Sequence, residues 1–149
     1  MSCGMVRKVD ELGRVVIPKE MRRILNIKTG SSIEMIINDE NEVVLKKFSE
    51  MNNISNYAEV VADILFDEFN VPCLVCDEDK VVFCKGVSKK DFLNKEIPPQ
   101  NDEWFVCPVN FGGFQGGSIM LQKKEERADA DFEKTVYIFS KFLGNILSE

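Results

Sequence analysis

Residues 5–48 read MVRKVDELGRVVIPKEMRRILNIKTGSSIEMIINDENEVVLKKF, and the succession of turn, strand and helix signals inside this stretch decides the fold of the first third of the chain. Glu11-Leu12-Gly13 supplies a chain reversal, and Val15-Val16-Ile17 is a β-branched run suited to a buried strand. Pro18 suits the first turn of a helix, where its missing N–H costs no bond. That helix is short, over Pro18 to Leu25, with Met21, Ile24 and Leu25 on one face and Lys19, Arg22 and Arg23 on the others. Thr29-Gly30 turns the chain into a strand over Ser32 to Ile37, the Asn38-Asp39-Glu40-Asn41 cluster turns it again, and Glu42 to Lys47 returns as a second strand. A further strand is expected at the start, over Met5 to Val9.

Charge sets this stretch apart. From Met1 to Lys28 there are seven basic residues (Arg7, Lys8, Arg14, Lys19, Arg22, Arg23, Lys28) against Asp10, Glu11 and Glu20, a local charge of +4. The chain as a whole carries −6, so the remainder carries −10. Such asymmetry is the pattern of a protein of which one part meets a polyanion. Four of the seven are arginine, whose planar fork of donors grips a phosphate or a guanine edge at two points, which lysine cannot do. Composition alone is equally compatible with a solvated face; the turn–strand–helix setting favours contact with DNA.

A module of this size, with one brief helix and a few strands, has too little interior to stand alone, and it has neither a disulfide framework nor a metal-ligand set to staple it. Dimerisation is the remedy, and a two-fold dimer would present two sets of arginines to a DNA site of matching symmetry.

The run GMVRKVDELGRVVIPKEMRRILNI, with IEMIINDENEVVLKKF after it, resembles the N-terminal domain of the AbrB/SpoVT family of transition-state regulators, densely and over the first third of the chain. The resemblance implies a swapped-hairpin fold in which two chains interlace their strands into one barrel-like dimer. It also implies DNA contacts by Arg7, Arg14, Arg22 and Arg23, with Lys8 at an adjacent basic position.

After residue 50 the character changes. Ile54, Tyr57, Val61, Ile64, Leu65 and Phe69 recur at helical spacing, predicting an amphipathic helix that joins the two regions. Val71 to Cys76 and Lys80 to Cys84 read as a hairpin around Asp77-Glu78-Asp79, and Ser88 as the cap of a helix over Lys89 to Asn94. Glu103 to Asn110 and Ser118 to Gln122 read as strands around a Gly112-Gly113 and Gly116-Gly117 turn, and Asp129 to Leu147 as a closing helix. Phe132, Val136, Phe139, Leu143 and Ile146 form a stripe along it, expected to pack on the domain's own sheet rather than on a neighbouring subunit.

The order α, β, β, α, β, β, α, around LVCDEDKVVFCKGVSKKDFLNKEI, resembles the GAF-like domain that follows the DNA-binding domain in the same family. The resemblance implies a GAF-like α/β sandwich that senses an effector. Only Pro98 to Asp102 separates the middle helix from Trp104-Phe105, an abbreviated connection that leaves little chain to roof a pocket, so effector binding and an assembly role both stay open.

Cys73, Cys76, Cys84 and Cys107 could suggest a metal or redox cluster. In a strand, residues three apart point to opposite faces, and the chain has no histidine; buried small hydrophobes are the expected role, and redox sensing the lesser one. Cys3, in a terminal segment, is the thiol expected to react. The count of five cysteines is odd and implies no disulfide scaffold.

No Gly-rich phosphate loop follows a strand, and no close pair of carboxylates lies in an apolar setting, so no enzyme and no cofactor is expected. No apolar run is long enough for a bilayer and no cleavable signal is present, which points to a bacterial cytoplasmic, nucleoid-associated protein with no membrane partner. The expectation is an α+β protein with a DNA-binding domain over 1–50 and a regulatory or oligomerisation domain over 51–149. It would bind double-stranded DNA as a homodimer or homotetramer and regulate transcription in a sporulation or transition-state programme. The alternatives are an antitoxin-type autoregulator, whose flexible tail is disfavoured by a 44% hydrophobic composition and by strand and helix patterns that continue through the second region, and an effector sensor or scaffold with incidental DNA affinity.

Overall fold

The computed structural model describes residues 4–124 and 130–149, and the chain divides into two units, Met1–Phe48 and Ser49–Glu149. The fold class is α+β.

In the first unit a tight loop at Asp10 to Arg14 is closed by backbone bonds from the Asp10 N–H to the Arg14 carbonyl (3.0 Å) and from the Gly13 N–H to the Asp10 carbonyl (3.1 Å). Gly13 takes φ +75°, a conformation that costs glycine no steric strain. Helix α1 spans Lys19–Ile24, with Pro18 at its N-cap. It stops because Asn26 turns left-handed (φ 51°), so that the Ile27 N–H reaches back to the Arg22 carbonyl at 2.8 Å. Strands β1 (Ile33–Ile37) and β2 (Val43–Lys47) pair antiparallel from Ile33↔Lys47 to Ile37↔Val43. The Asn38 side chain accepts the Glu40 and Glu42 N–H groups to form the turn between them.

The structure departs from the sequence expectation at Met5 to Val9 and Val15 to Ile17, neither of which forms a strand in the single chain. Their composition favours extended backbone, but a strand also requires a neighbour for its N–H and C=O groups. Among the described residues of this unit the paired strands are β1 and β2. Burial gives the same picture: of the described residues up to Phe48, only Pro18 is buried. Val16 is 72% exposed and Met35 71%, and Leu25, Ile37 and Val43 are exposed as well.

The second unit keeps the expected element order, with its opening helix split at Ile54 into α2 (Glu50–Asn53) and α3 (Ser55–Phe69). Then follow β3 (Cys73–Cys76), β4 (Val81–Lys85), α4 (Lys89–Phe92), β5 (Trp104–Phe111), β6 (Phe114–Gln122) and α5 (Ala130–Leu147). The four strands form one antiparallel sheet in the order β4-β3-β6-β5.

Both faces of that sheet are covered. On one, Val61 and Leu65 of α3 and Phe132, Val136 and Leu143 of α5 pack against Cys73, Val75, Ile119 and Leu121. On the other, Leu74, Cys76, Cys84 and Met120 pack with Trp104, Phe92, Leu93 and Ile97. Helix α3 is thus a layer of this unit, and its buried stripe runs through Ala58, Val61, Ala62 and Leu65 rather than through Tyr57 and Ile64, which are exposed. The stripe on α5 is packed at home as expected, through Phe132, Val136 and Leu143; Asp129, where that helix was expected to begin, lies outside the described residues.

The β5–β6 turn is Gly112-Gly113 alone (φ 56° and 81°), whereas Gly116 and Gly117 are strand residues of β6. Their role is close approach rather than reversal: a Cβ at Gly117 would collide with the Cys76 carbonyl oxygen and the Met51 methyl group. Gly144 lets α5 lie equally close to the carbonyl oxygen of Asn110.

Candidate nucleic-acid interface

The five basic residues singled out in the sequence are all exposed and all in the first unit. Arg7 and Lys8 lie on the segment that leads into the Asp10–Arg14 loop, Arg14 closes that loop, and Arg22 and Arg23 stand on α1. Successive helical residues project about 100° apart, so Arg22 and Arg23 leave α1 in different directions.

Three of the guanidinium groups have an internal acceptor. Arg14 Nε donates to Asp10 Oδ2 at 2.6 Å, Arg22 Nε to the Ile17 carbonyl at 3.1 Å, and an Arg23 terminal nitrogen to Glu20 Oε2 at 2.9 Å. The Arg14 and Arg23 side chains nevertheless remain about three-quarters exposed (73% and 76%). Asp10 also accepts backbone N–H groups from Leu12 (2.9 Å) and Arg14 (2.8 Å). The Arg14 backbone N–H and then its guanidinium hold the Asp10 carboxyl below the usual carboxylate range. Asp10 is the residue the charge count treated only as an acid. Its signal in the sequence was an aspartate four residues before an arginine, across a Gly-containing turn.

Arg7 and Arg14 come together at one feature, a groove of about 590 Å³ lined otherwise by apolar groups, among them Met5, Val15, Ile17, Met21, Met35 and Leu45. The groove joins the opening segment, α1 and both hairpin strands of the unit. Surface of this kind, apolar at its centre with arginine beside it, has the composition of an interface core.

The cysteines sit in the second unit's interior. Cys73 belongs to the helix-covered face and Cys76 to the other, as their spacing required. Burial pushes both thiols up to about 12 from an ordinary 9.0, so they are poor nucleophiles. Among the described residues no group of three metal-ligating side chains comes together. Cys3, the thiol expected to react, lies outside the described residues. Among the described residues no helix is long and apolar enough to cross a membrane.

Comparison with known proteins agrees with this division. Residues 6–50 match the family described as antidote-toxin recognition MazE, bacterial antitoxin, and residues 53–104 match the one described as stage V sporulation protein T C-terminal, transcription factor. The chain is 46% identical over 96 residues to stage V sporulation protein T of Bacillus subtilis, which covers 64% of this chain and 54% of that protein. It is 47% identical over 64 residues to the transition state regulatory protein AbrB of the same organism, covering 43% of this chain and 66% of AbrB. To the putative transition state regulator Abh it is 53% identical over 47 residues, covering 32% of this chain and 50% of Abh. The matches thus span between half and about two thirds of those relatives' lengths. A first unit built on the turn–helix–hairpin pattern, joined to a second unit whose residues 53–104 match the sporulation-protein family, makes this chain a member of the AbrB/SpoVT family.

Proposed function

We propose that the chain is a non-enzymatic, sequence-specific double-stranded-DNA-binding regulator of transcription, which occupies promoters in a sporulation or transition-state programme of a bacterial cytoplasm and is associated with the nucleoid. Arg7, Lys8, Arg14, Arg22 and Arg23 are its DNA-contacting residues. The observation that carries this reading is the pairing, in one unit, of an exposed arginine set with an apolar surface that has no interior of its own. A second copy covers that surface: the extended Met5 to Val9 and Val15 to Ile17 segments take their ladder partners from it, giving the swapped-hairpin barrel dimer. Two copies set the arginines in the two-fold arrangement that a palindromic site requires.

The second unit, on this reading, is a GAF-like domain over 51–149 that joins dimers into tetramers. Support comes from its helix–strand order around one antiparallel sheet, and from a face of α3 and α5 that the domain leaves uncovered. There Tyr57, Val60 and Ile64 of α3 and Ile138 and Phe142 of α5 are exposed, with Tyr57 and Phe142 in edge contact at 6.1 Å. The other face of the sheet is filled by Phe92, Leu93, Ile97 and Trp104, which favours assembly over effector sensing as this unit's role.

The MazE match over residues 6–50 favours one other reading, an antitoxin that represses its own promoter. Its folded second unit, with a core on each side of a sheet, is unlike a flexible toxin-wrapping tail. Chromatin occupancy of the full-length protein mapped in its native cell separates these: peaks spread over many promoters support a global regulator, a single peak at its own operon supports the antitoxin, and no peaks refute DNA binding as the function.

A further inference from the structure

We propose that Asp10 is a positioning residue that converts Arg14 from a general phosphate-seeking cation into a specificity-determining contact. The inference rests on the assignment of Arg14 to the DNA interface. Asp10 holds Arg14 at both ends. Its Oδ1 accepts the Arg14 backbone N–H at 2.8 Å and the Leu12 N–H at 2.9 Å, and its Oδ2 accepts Arg14 Nε at 2.6 Å. The loop between them is cross-tied by the Asp10 N–H to Arg14 carbonyl bond and turned by Gly13 at φ +75°. The contact uses Nε, the nitrogen nearest the backbone, and so does not use the two terminal nitrogens, the pair that forms a bidentate fork to a guanine edge or a phosphate.

Two opposite effects follow from one carboxylate. Fixing the arginine's rotamer before DNA arrives lowers the ordering cost of a contact whose geometry is right. Placing an anion beside the backbone of a polyanion weakens attraction to every DNA alike. Together they raise the ratio of specific to non-specific binding at the expense of raw affinity, which is specificity built partly from repulsion. The Arg23–Glu20 pair differs: it engages a terminal nitrogen of the guanidinium and thus occupies part of the fork itself.

The test uses full-length protein and two duplexes of equal length: the site selected by the parent protein from a random-sequence pool, and a scrambled version of it. Asp10→Asn keeps an amide oxygen for the Leu12 and Arg14 N–H groups while removing the anion. The expected result is an affinity for the selected site about 10-fold lower and an affinity for the scrambled duplex unchanged or higher at the same salt. In an Arg14→Ala background the same substitution should no longer lower affinity for the selected site. A ratio of the two affinities that Asp10→Asn leaves within about twofold of the parent's overturns the proposal, as does an equal loss in the Arg14→Ala background, which would mark Asp10 as a turn residue only. Should Asp10→Asn lower the unfolding midpoint, an Arg14→Lys background tests the same point: the cation stays and the fork goes, so adding Asp10→Asn there must leave the ratio unchanged, and a fall as large as in the parent overturns the proposal. If Arg14→Ala itself leaves the ratio intact, the assignment of Arg14 to the interface fails along with the proposal; if Arg14→Ala lowers it and Asp10→Asn does not, only the role of Asp10 fails.

Discussion

The two units solve the problem of stability in opposite ways. The second has an apolar layer on each side of its sheet, and its β3 strand is buried at every position. The first has a single buried residue among those described, Pro18, and spreads its leucines, valines and methionines over the surface. On the proposed reading, the exposed hydrophobic residues of the first unit mark where another chain belongs. The charges divide along the same line, positive where the interior is missing and negative where it is complete.

The largest effect should come from cutting the chain at this boundary. On the proposed reading only the first unit draws its core from a partner, so a fragment of residues 1–48 should unfold with a midpoint that rises with protein concentration and a fragment of residues 49–149 should hold its fold on dilution. Sedimentation and thermal scans over a wide concentration range decide the matter; a stably folded monomer of 1–48 would erase the contrast.

Matched truncations sharpen it. Leu143→Ala, in the packed layer beneath α5, should cost about 2–5 kcal/mol by denaturant unfolding. Met35→Ala would cost almost nothing if the 71% exposure of that side chain in the single chain held in solution. Covered by a second copy, it should instead cost about 2 kcal/mol or more per protomer and weaken the dimer. Equal, negligible losses at Met35 and at a solvated residue would argue for a free surface.

A smaller effect belongs to the second unit alone. Two of its four thiols, Cys73 and Cys76, are held up at about 12 by burial, whereas an unfolded thiol ionises near 9.0. Folded and unfolded chains therefore bind the same protons below about pH 9, and the folded chain binds more between 9 and 12. Stability should be level with respect to these groups up to about pH 9 and then fall as pH rises, by at most about 1.4 kcal/mol per thiol per pH unit. The decline should be shallower in Cys73→Ala, and a slope that Cys73→Ala leaves unchanged would mean the thiol is not buried in solution. The smallest effect is at the boundary itself. Ser49 caps α2 by accepting the Asn52 N–H and donates to Asp77 Oδ2 at 2.6 Å. Ser49→Ala should cost the second unit about 1 kcal/mol by denaturant unfolding.

The same contrast explains how much was legible in the sequence. Local signals were enough for the second unit, because its hydrogen-bond partners lie within the chain: turn residues, a 3.6-residue stripe and opposite-facing cysteines placed most elements within a few residues. The exceptions were contacts distant in sequence. Gly116-Gly117 read as a turn, but it is the Cys76 carbonyl and Met51, far away along the chain, that require glycine at 117. Tyr57 and Ile64 read as buried because they are apolar at helical spacing; Ala58 and Ala62, whose small side chains let α3 lie close to the sheet, hold that face instead. In the first unit the hairpin and α1 were readable from Asn38–Asn41 and Pro18. The strands at Met5 to Val9 and Val15 to Ile17 were not recovered in a single chain, since propensity supplies an extended backbone and not the neighbour that pairs with it. The arginines could be named from composition and pattern, but the clamp of Asp10 on Arg14 depends on a loop geometry that sequence spacing only suggests.

DNA contact by the exposed arginines of the first unit is the central claim, and a titration of full-length protein against its selected duplex by fluorescence anisotropy tests it most directly, with the parent and Arg14→Ala or Arg22→Ala measured at the same salt. The account predicts a loss of about 1–3 kcal/mol per contact, incurred twice in a two-fold dimer, with the unfolding midpoint unchanged. An Arg14→Ala and an Arg22→Ala protein that each bind the site as tightly as the parent would contradict it.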